Sequence, residues 1–200
     1  MTSEIIMATA RRGLTYDRYL ELMAEQAGRD PAGTIPEEAE KIAFTGLNLH
    51  RARRLARTWR PSAALASAVA ALPGPQLWLT LTEPWCGDSA QCLPLFAALA
   101  ETRSDIDFRL LLRDDHPEVM DLYLTGGKRS IPVVVALDEN GKELFRWGPR
   151  PAAAQAVFDQ AKNEGLAKPE ILERLHLFYG RDRDRTLDAE LTALLGSVTT

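Results

Sequence analysis

The chain is poor in cysteine, with two in 200 residues. That scarcity excludes a disulfide framework and points to a reducing compartment. It has no excess of basic charge: 24 Lys and Arg against 28 Asp and Glu leave a formal net charge of -4. Nothing there draws it toward nucleic acid or an anionic membrane. It lacks a long unbroken apolar run. The most apolar window, 63–81, is interrupted by Pro73, Gly74 and Pro75 and reads as helix, turn and strand, not as a membrane span. The N-terminal stretch lacks a signal peptide's apolar core, since Glu4 interrupts it. A soluble cytoplasmic protein is the expectation. The few histidines and cysteines are scattered without metal-ligand spacing, and Gly126-Gly127 is a helix stop, not a phosphate cradle. No metal and no bound cofactor is therefore expected. What the chain does have is a hydrophobic fraction of 46%, enough for a proper core.

The stretch 82–94, TEPWCGDSAQCLP, carries the chemistry. It follows the apolar run 77–81 and opens a helical pattern, with Cys86 at the turn. Helix-start amides point outward there and favour negative charge. A thiolate is the nucleophilic form of cysteine, so this is where a reactive sulfur would sit. A small apolar residue buried in a turn is the competing reading.

Periodicity gives the rest of the order. Residues 1–13 carry no clear element. Thr15 caps a helix that runs to Gly28, with Leu14 and Tyr19 as a staple. Thr34 and Glu37 match a capping box ahead of a long helix, 37–59. Its apolar residues include Ile42, Leu49, Leu55 and Trp59, and its other face is basic: Lys41, Arg51, Arg53, Arg54, Arg57 and Arg60. A solvated face is the plain reading of such a run, and a positive wall beside the reactive site the alternative. A short Ala-rich helix spans 62–72. Strands then alternate with helices: strand 76–82, helix 89–101, strand 106–113, helix 115–124 behind an Asp115/Glu118 capping box, and strand 131–137. A turn at 138–141, antiparallel strand 143–147 and helix 151–163 follow, then charged helices 169–179 and 186–195. A right-handed βαβ unit brings Cys86 and the Asp114–His116 loop to one sheet edge. His116 fits a helix start, and His50 and His176 lie within helices and carry no reading of their own.

The segment Trp85-Cys86-Gly87-Asp88-Ser89-Ala90-Gln91-Cys92-Leu93-Pro94 resembles the thioredoxin active-site pattern WCGPCxxxxP. Arg129-Ser130-Ile131-Pro132, followed by an apolar strand and Asn140-Gly141, resembles that family's Ile–(cis-Pro) turn and last hairpin. The resemblance covers about 75–163. More particularly, the chain is similar to bacterial thioredoxin family proteins with WCGD and a helical N-terminal extension, an extension matched only loosely through Leu47-Asn48 and Arg51. It implies an α/β thioredoxin-like fold: a central mixed sheet of about four strands flanked by helices. The implied divisions are a helical extension, 1–74, packed on the core, a core, 75–163, and a C-terminal helical extension, 164–200. The departures are equally specific. Ser89 stands where the second thiol belongs, Asp88 replaces the intervening proline, and Thr80 replaces a buried aspartate.

The implied chemistry is thiol–disulfide exchange on one sulfur. Cys86 would form a mixed disulfide and Ser89 would hydrogen-bond its sulfur, but an alcohol could not release the product. An external thiol must do so, which makes glutathione or another low-molecular-weight thiol the one expected co-substrate and protein or small-molecule disulfides the expected partners. Trp85, Gly87, Asp88, Ile131 and Pro132 are the implied substrate contacts. Cys92, six residues along the same helix, is too far to pair with Cys86 and reads as core. Asp88 opposes ionisation by roughly half a pKa unit, and the helix start with its N–H bonds favours it comparably or more, so a modestly lowered Cys86 pKa is expected. A non-catalytic module binding a protein through the Pro132 groove or the basic helix is the alternative. Nothing in the sequence speaks to oligomeric state.

Overall fold

The computed structural model describes residues 2–198. Four helices come first: α1 (Ser3–Arg11), α2 (Tyr16–Ala27), α3 (Pro36–Thr58) and α4 (Ala63–Ala70). The middle of the chain is β1 (Gln76–Thr82), α5 (Gly87–Ala100), β2 (Ile106–Leu112), α6 (Pro117–Met120), β3 (Val133–Leu137) and β4 (Glu143–Trp147). Three helices follow: α7 (Ala152–Asn163), α8 (Lys168–Asp182) and α9 (Arg185–Val198). The strands form one mixed sheet in the order β2-β1-β3-β4, with β1 parallel to β2 and antiparallel to β3, and β3 antiparallel to β4. This is the helix-flanked α/β architecture expected, with helical extensions at both ends.

β1 is buried along its whole length because both faces are covered. Its alternating side chains divide between two apolar clusters. Leu77, Leu79 and Leu81 join Val133, Val135 and Leu137, roofed by Met7 and Ala10 of α1 and by Val119 and Met120 of α6. Trp78 points the other way, with Val134 and Ala136, into a larger cluster that draws on α2, α3, α4, α5, α8 and α9. Period-two alternation thus places Thr80 and Thr82 beneath α5. α3 packs along α5, α4 against α9, and α7 against α8.

Several expected boundaries move. The opening residues are helical: Thr2 caps α1, and Met7 and Ala10 are buried against the sheet. The Thr34/Glu37 capping box does not form. Thr34 donates its hydroxyl to the Pro31 carbonyl, and Ile35 is the uncapped entry residue, held extended ahead of Pro36. The Asp115/Glu118 box fails likewise, because Pro117 keeps His116 out of helical geometry; the helix is the single turn Pro117–Met120, not 115–124. β3 begins at Val133, two residues after the expected start. Thr15 does cap α2, its Oγ1 accepting from the Arg18 amide.

Among the described residues, no helix is long and apolar enough to cross a membrane and no group of three metal-ligating side chains forms.

Candidate active site

Sheet topology gathers the site. The parallel β1–β2 pairing sets Thr82 beside Leu112, and the antiparallel β1–β3 pairing sets Leu81 opposite Val133. The exits of β1 and β2 and the entrance of β3 therefore share one edge. Cys86 occupies the entry residue of α5, ahead of Gly87. The Ile131–Pro132 bond is cis, and the Cys86 Sγ–H donates to the Ile131 carbonyl at 3.5 Å. Gly148 buttresses that turn. With φ of +124°, it lies so close that a Cβ there would sit 2.1 Å from the Pro132 carbonyl oxygen.

A hydroxyl chain approaches the sulfur from below. The Thr82 hydroxyl donates to Ser89 Oγ at 2.8 Å. With that proton committed, the 3.3 Å contact to Tyr19 is one in which the tyrosine donates. The Ser89 proton is left for the Cys86 sulfur, on which the Ser89 side chain and the amides of Asp88 and Ser89 all bear. Thr80, in place of the family's aspartate, is fully buried, and its hydroxyl has no hydrogen-bond partner among the described residues.

The expected lowering of the Cys86 pKa is reversed. Cys86 retains 7% of its surface. Burial, and after it the Asp88 charge, push its thiol up to about 11, against the downward pull of those hydrogen bonds. The helix start does not offset removal from water. Cys92 is completely buried and free, unpaired with Cys86.

Asp88 is held rather than loose. Arg150 reaches its Oδ2 through Nη2 at 2.7 Å and Nε at 3.0 Å, and the Tyr179 hydroxyl donates to Oδ1 at 2.7 Å. The pair is nearly enclosed, and Arg150 also stacks on the Phe158 ring at 4.4 Å. Trp85 is half-buried with the Arg113 guanidinium 4.9 Å and the Lys41 ammonium 5.9 Å from its ring centroid. Asn48, fully buried on α3, donates to the Pro84 carbonyl at 3.1 Å and accepts from Arg51 at 3.1 Å. His176 of α8 lies over Gly87, its Cε1 3.4 Å from where a Cβ would stand. Trp85, Cys86, Gly87, Asp88 and Ile131 line a cleft of about 490 Å³, whose walls are α3 and α8. Ser89 and Pro132 are buried behind it.

A model of the thioredoxin family matches residues 34–162. The chain belongs to the thioredoxin family. The match begins ahead of β1 and takes in α3 and α4 as well as the sheet. Among solved structures, a protein of unknown function from Pseudomonas aeruginosa is 18% identical with a TM-score of 0.51, over 93% of this chain and 95% of that one. An HIV epitope-scaffold is likewise 18% identical, with a TM-score of 0.50 over 93% and 96%. At that identity the likeness is one of fold. No curated protein matches.

Against the thioredoxin pattern, the site adds residues that the sequence motif does not contain. Arg150, Tyr179 and His176 come from beyond the hairpin; His176 has an advance signal in its helical spacing with Lys168 and Leu172 on one face of α8, and Arg150 has none. Glu83 is a further addition. It is 6% exposed, accepts from the Asp114 amide at 2.9 Å, and burial raises its carboxyl to about 7. The basic face of α3 divides: Lys41 and Arg51 turn into the cleft, while Arg53 and Arg57 are exposed.

Proposed function

We propose that the protein exchanges thiols and disulfides through Cys86 alone. The observation that carries this reading is the position of the sulfur at the start of α5, within 3.5 Å of the carbonyl at the cis Ile131–Pro132 turn and opening on the cleft. Cys86 attacks a disulfide R–S–S–R′, forming Cys86–S–S–R; the S–S bond of the substrate breaks, and R′–S⁻ leaves with the proton the thiol gave up. An external thiol R″–SH then attacks the mixed disulfide, releasing R–S–S–R″ and restoring the Cys86 thiol. Ser89 donates to the sulfur while it is charged, and Asp88, fixed by Arg150 and Tyr179, shapes the wall beside it. A reducing compartment such as the cytoplasm suits this chemistry, since both cysteines are free.

The decisive measurement is intact mass after incubation with a disulfide, beside Cys86→Ser. The expected result is a wild-type adduct, absent from the variant and removed by added thiol. No adduct at any pH up to 10 overturns the reading. The largely buried, high-pKa thiol favours a second reading, a thioredoxin-fold module that binds a partner through the cleft in front of the Ile131–Pro132 turn. Under it, Cys86→Ser leaves partner binding intact and the wild type takes up no adduct.

A further inference from the structure

The charges of the Cys86 cleft are paired with one exception. Glu37 meets Lys41 at 3.0 Å, Glu40 meets Lys168 at 3.4 Å, Asp88 meets Arg150 at 2.7 Å, and Asp114 meets Arg113 at 2.8 Å. Arg51 has no carboxylate partner among the described residues. Its one side-chain hydrogen bond is to Asn48, which is itself bonded to the Pro84 carbonyl two residues before the sulfur. A half-buried guanidinium is therefore held by a neutral amide in the same cleft as Cys86, with fork donors unfilled. Burial, and after it the charge of Arg54 on the same helix, disfavour its charged form, and a bound anion would offset both. His176 adds no competing positive charge, because burial and Arg51 itself hold its imidazole in the neutral form. The remaining walls are apolar: Phe44, Leu172 and the Trp85 ring. The volume, about 490 Å³, is within the range of small-molecule sites, roughly 300–1,000 Å³.

We infer that the cleft takes a small disulfide or thiol carrying a carboxylate, and that Arg51 is the anchor for that carboxylate. The inference rests on the exchange reading and deepens it by naming the substrate class. The fork donors of Arg51 receive the carboxylate, Phe44, Leu172 and Trp85 cover the aliphatic body, and the substrate sulfur is delivered to Cys86. The covalent step is the one written above; Arg51 forms and breaks no bond.

The test compares two probes: glutathione disulfide, which carries carboxylates, and bis(2-hydroxyethyl) disulfide, which carries none. Second-order rates of mixed-disulfide formation at Cys86 are followed by intact mass for the wild type, Arg51→Gln and Arg51→Lys. The readout is the ratio of the two rates, which cancels any general change in the thiol. The expected result is a wild-type preference for glutathione disulfide, a ratio about tenfold lower in Arg51→Gln, the worth of one charge-assisted bond, and a partial return in Arg51→Lys. A ratio that does not move in Arg51→Gln overturns the anchor while leaving exchange intact. If neither probe modifies wild-type Cys86, the exchange reading falls, and this inference with it.

Discussion

A thiol whose pKa stands near 11 is ionised in about one molecule in ten thousand at pH 7. The resting sulfur of Cys86 is therefore the thiol, donating to the Ile131 carbonyl. Its alkylation rate should climb about tenfold per pH unit through neutrality and level off only near 11. Asp88 is the second cause of that elevation. Asp88→Asn removes the opposing charge and frees Arg150 to face the sulfur, so the iodoacetamide midpoint should drop by about one unit. An unchanged midpoint would remove Asp88 from the account. Glu83 makes a second residue-scale case. Its carboxyl is raised to about 7, so its contribution to stability is fully present below about pH 4.5 and is lost as pH rises through 7. Glu83→Gln keeps an oxygen for the Asp114 amide without the buried charge. In urea titrations it should match the wild type at pH 4 and exceed it at pH 8 by on the order of 2 kcal/mol; equal stability at both would refute the assignment. Cys86, Ser89 and Pro132 were legible because the motif that marks them is local. Asp88 was legible as a charge, but its neutraliser Arg150 lies 62 residues away, where spacing gives no warning.

Between elements, the site depends on how tightly the hairpin returns to the cis-proline turn. β4 ends at Trp147, and Gly148 then crosses behind Pro132 with a backbone conformation closed to other residues. Gly148→Ala must move that turn away from Cys86. The expectation is a loss of roughly 2–4 kcal/mol in urea unfolding together with slower mixed-disulfide formation. A variant as stable and as reactive as the wild type would mean the turn is not fixed from behind. The two capping boxes that failed teach one lesson. In each, a proline follows the intended cap by two residues, and it holds the residue between in extended or irregular geometry, so the helix starts at the proline. α1 is a different case: it has only nine residues, too few to stand alone, and the burial of Met7 and Ala10 on the sheet holds it.

For the molecule as a whole, the larger apolar cluster makes the outer helices inseparable from the sheet. Leu187, Leu191 and Leu195 of α9 and Leu175 and Tyr179 of α8 share it with Trp78 of β1 and Tyr19 of α2. Leu191 is fully buried, so Leu191→Ala should lower stability by about 2–5 kcal/mol while unfolding stays a single transition by fluorescence and far-ultraviolet dichroism. A separate, earlier loss of helix signal would show instead that the terminal helices unfold independently. The sheet order was readable from alternating strands and helices because βαβ handedness and the hairpin leave few choices. Which faces of α3 and α8 meet over Cys86 was not readable, since both helices carry mixed charge and their docking is set by partners far along the chain.

The bond from Tyr179 to Asp88 ties the residue two places beyond the nucleophile to a helix made 91 positions later. During synthesis the strands and α5 emerge first, and for that interval the sulfur has only one of its two helical walls. The surroundings of Cys86 are thus set by residues far along the chain, and the cleft is closed only once α8 is in place.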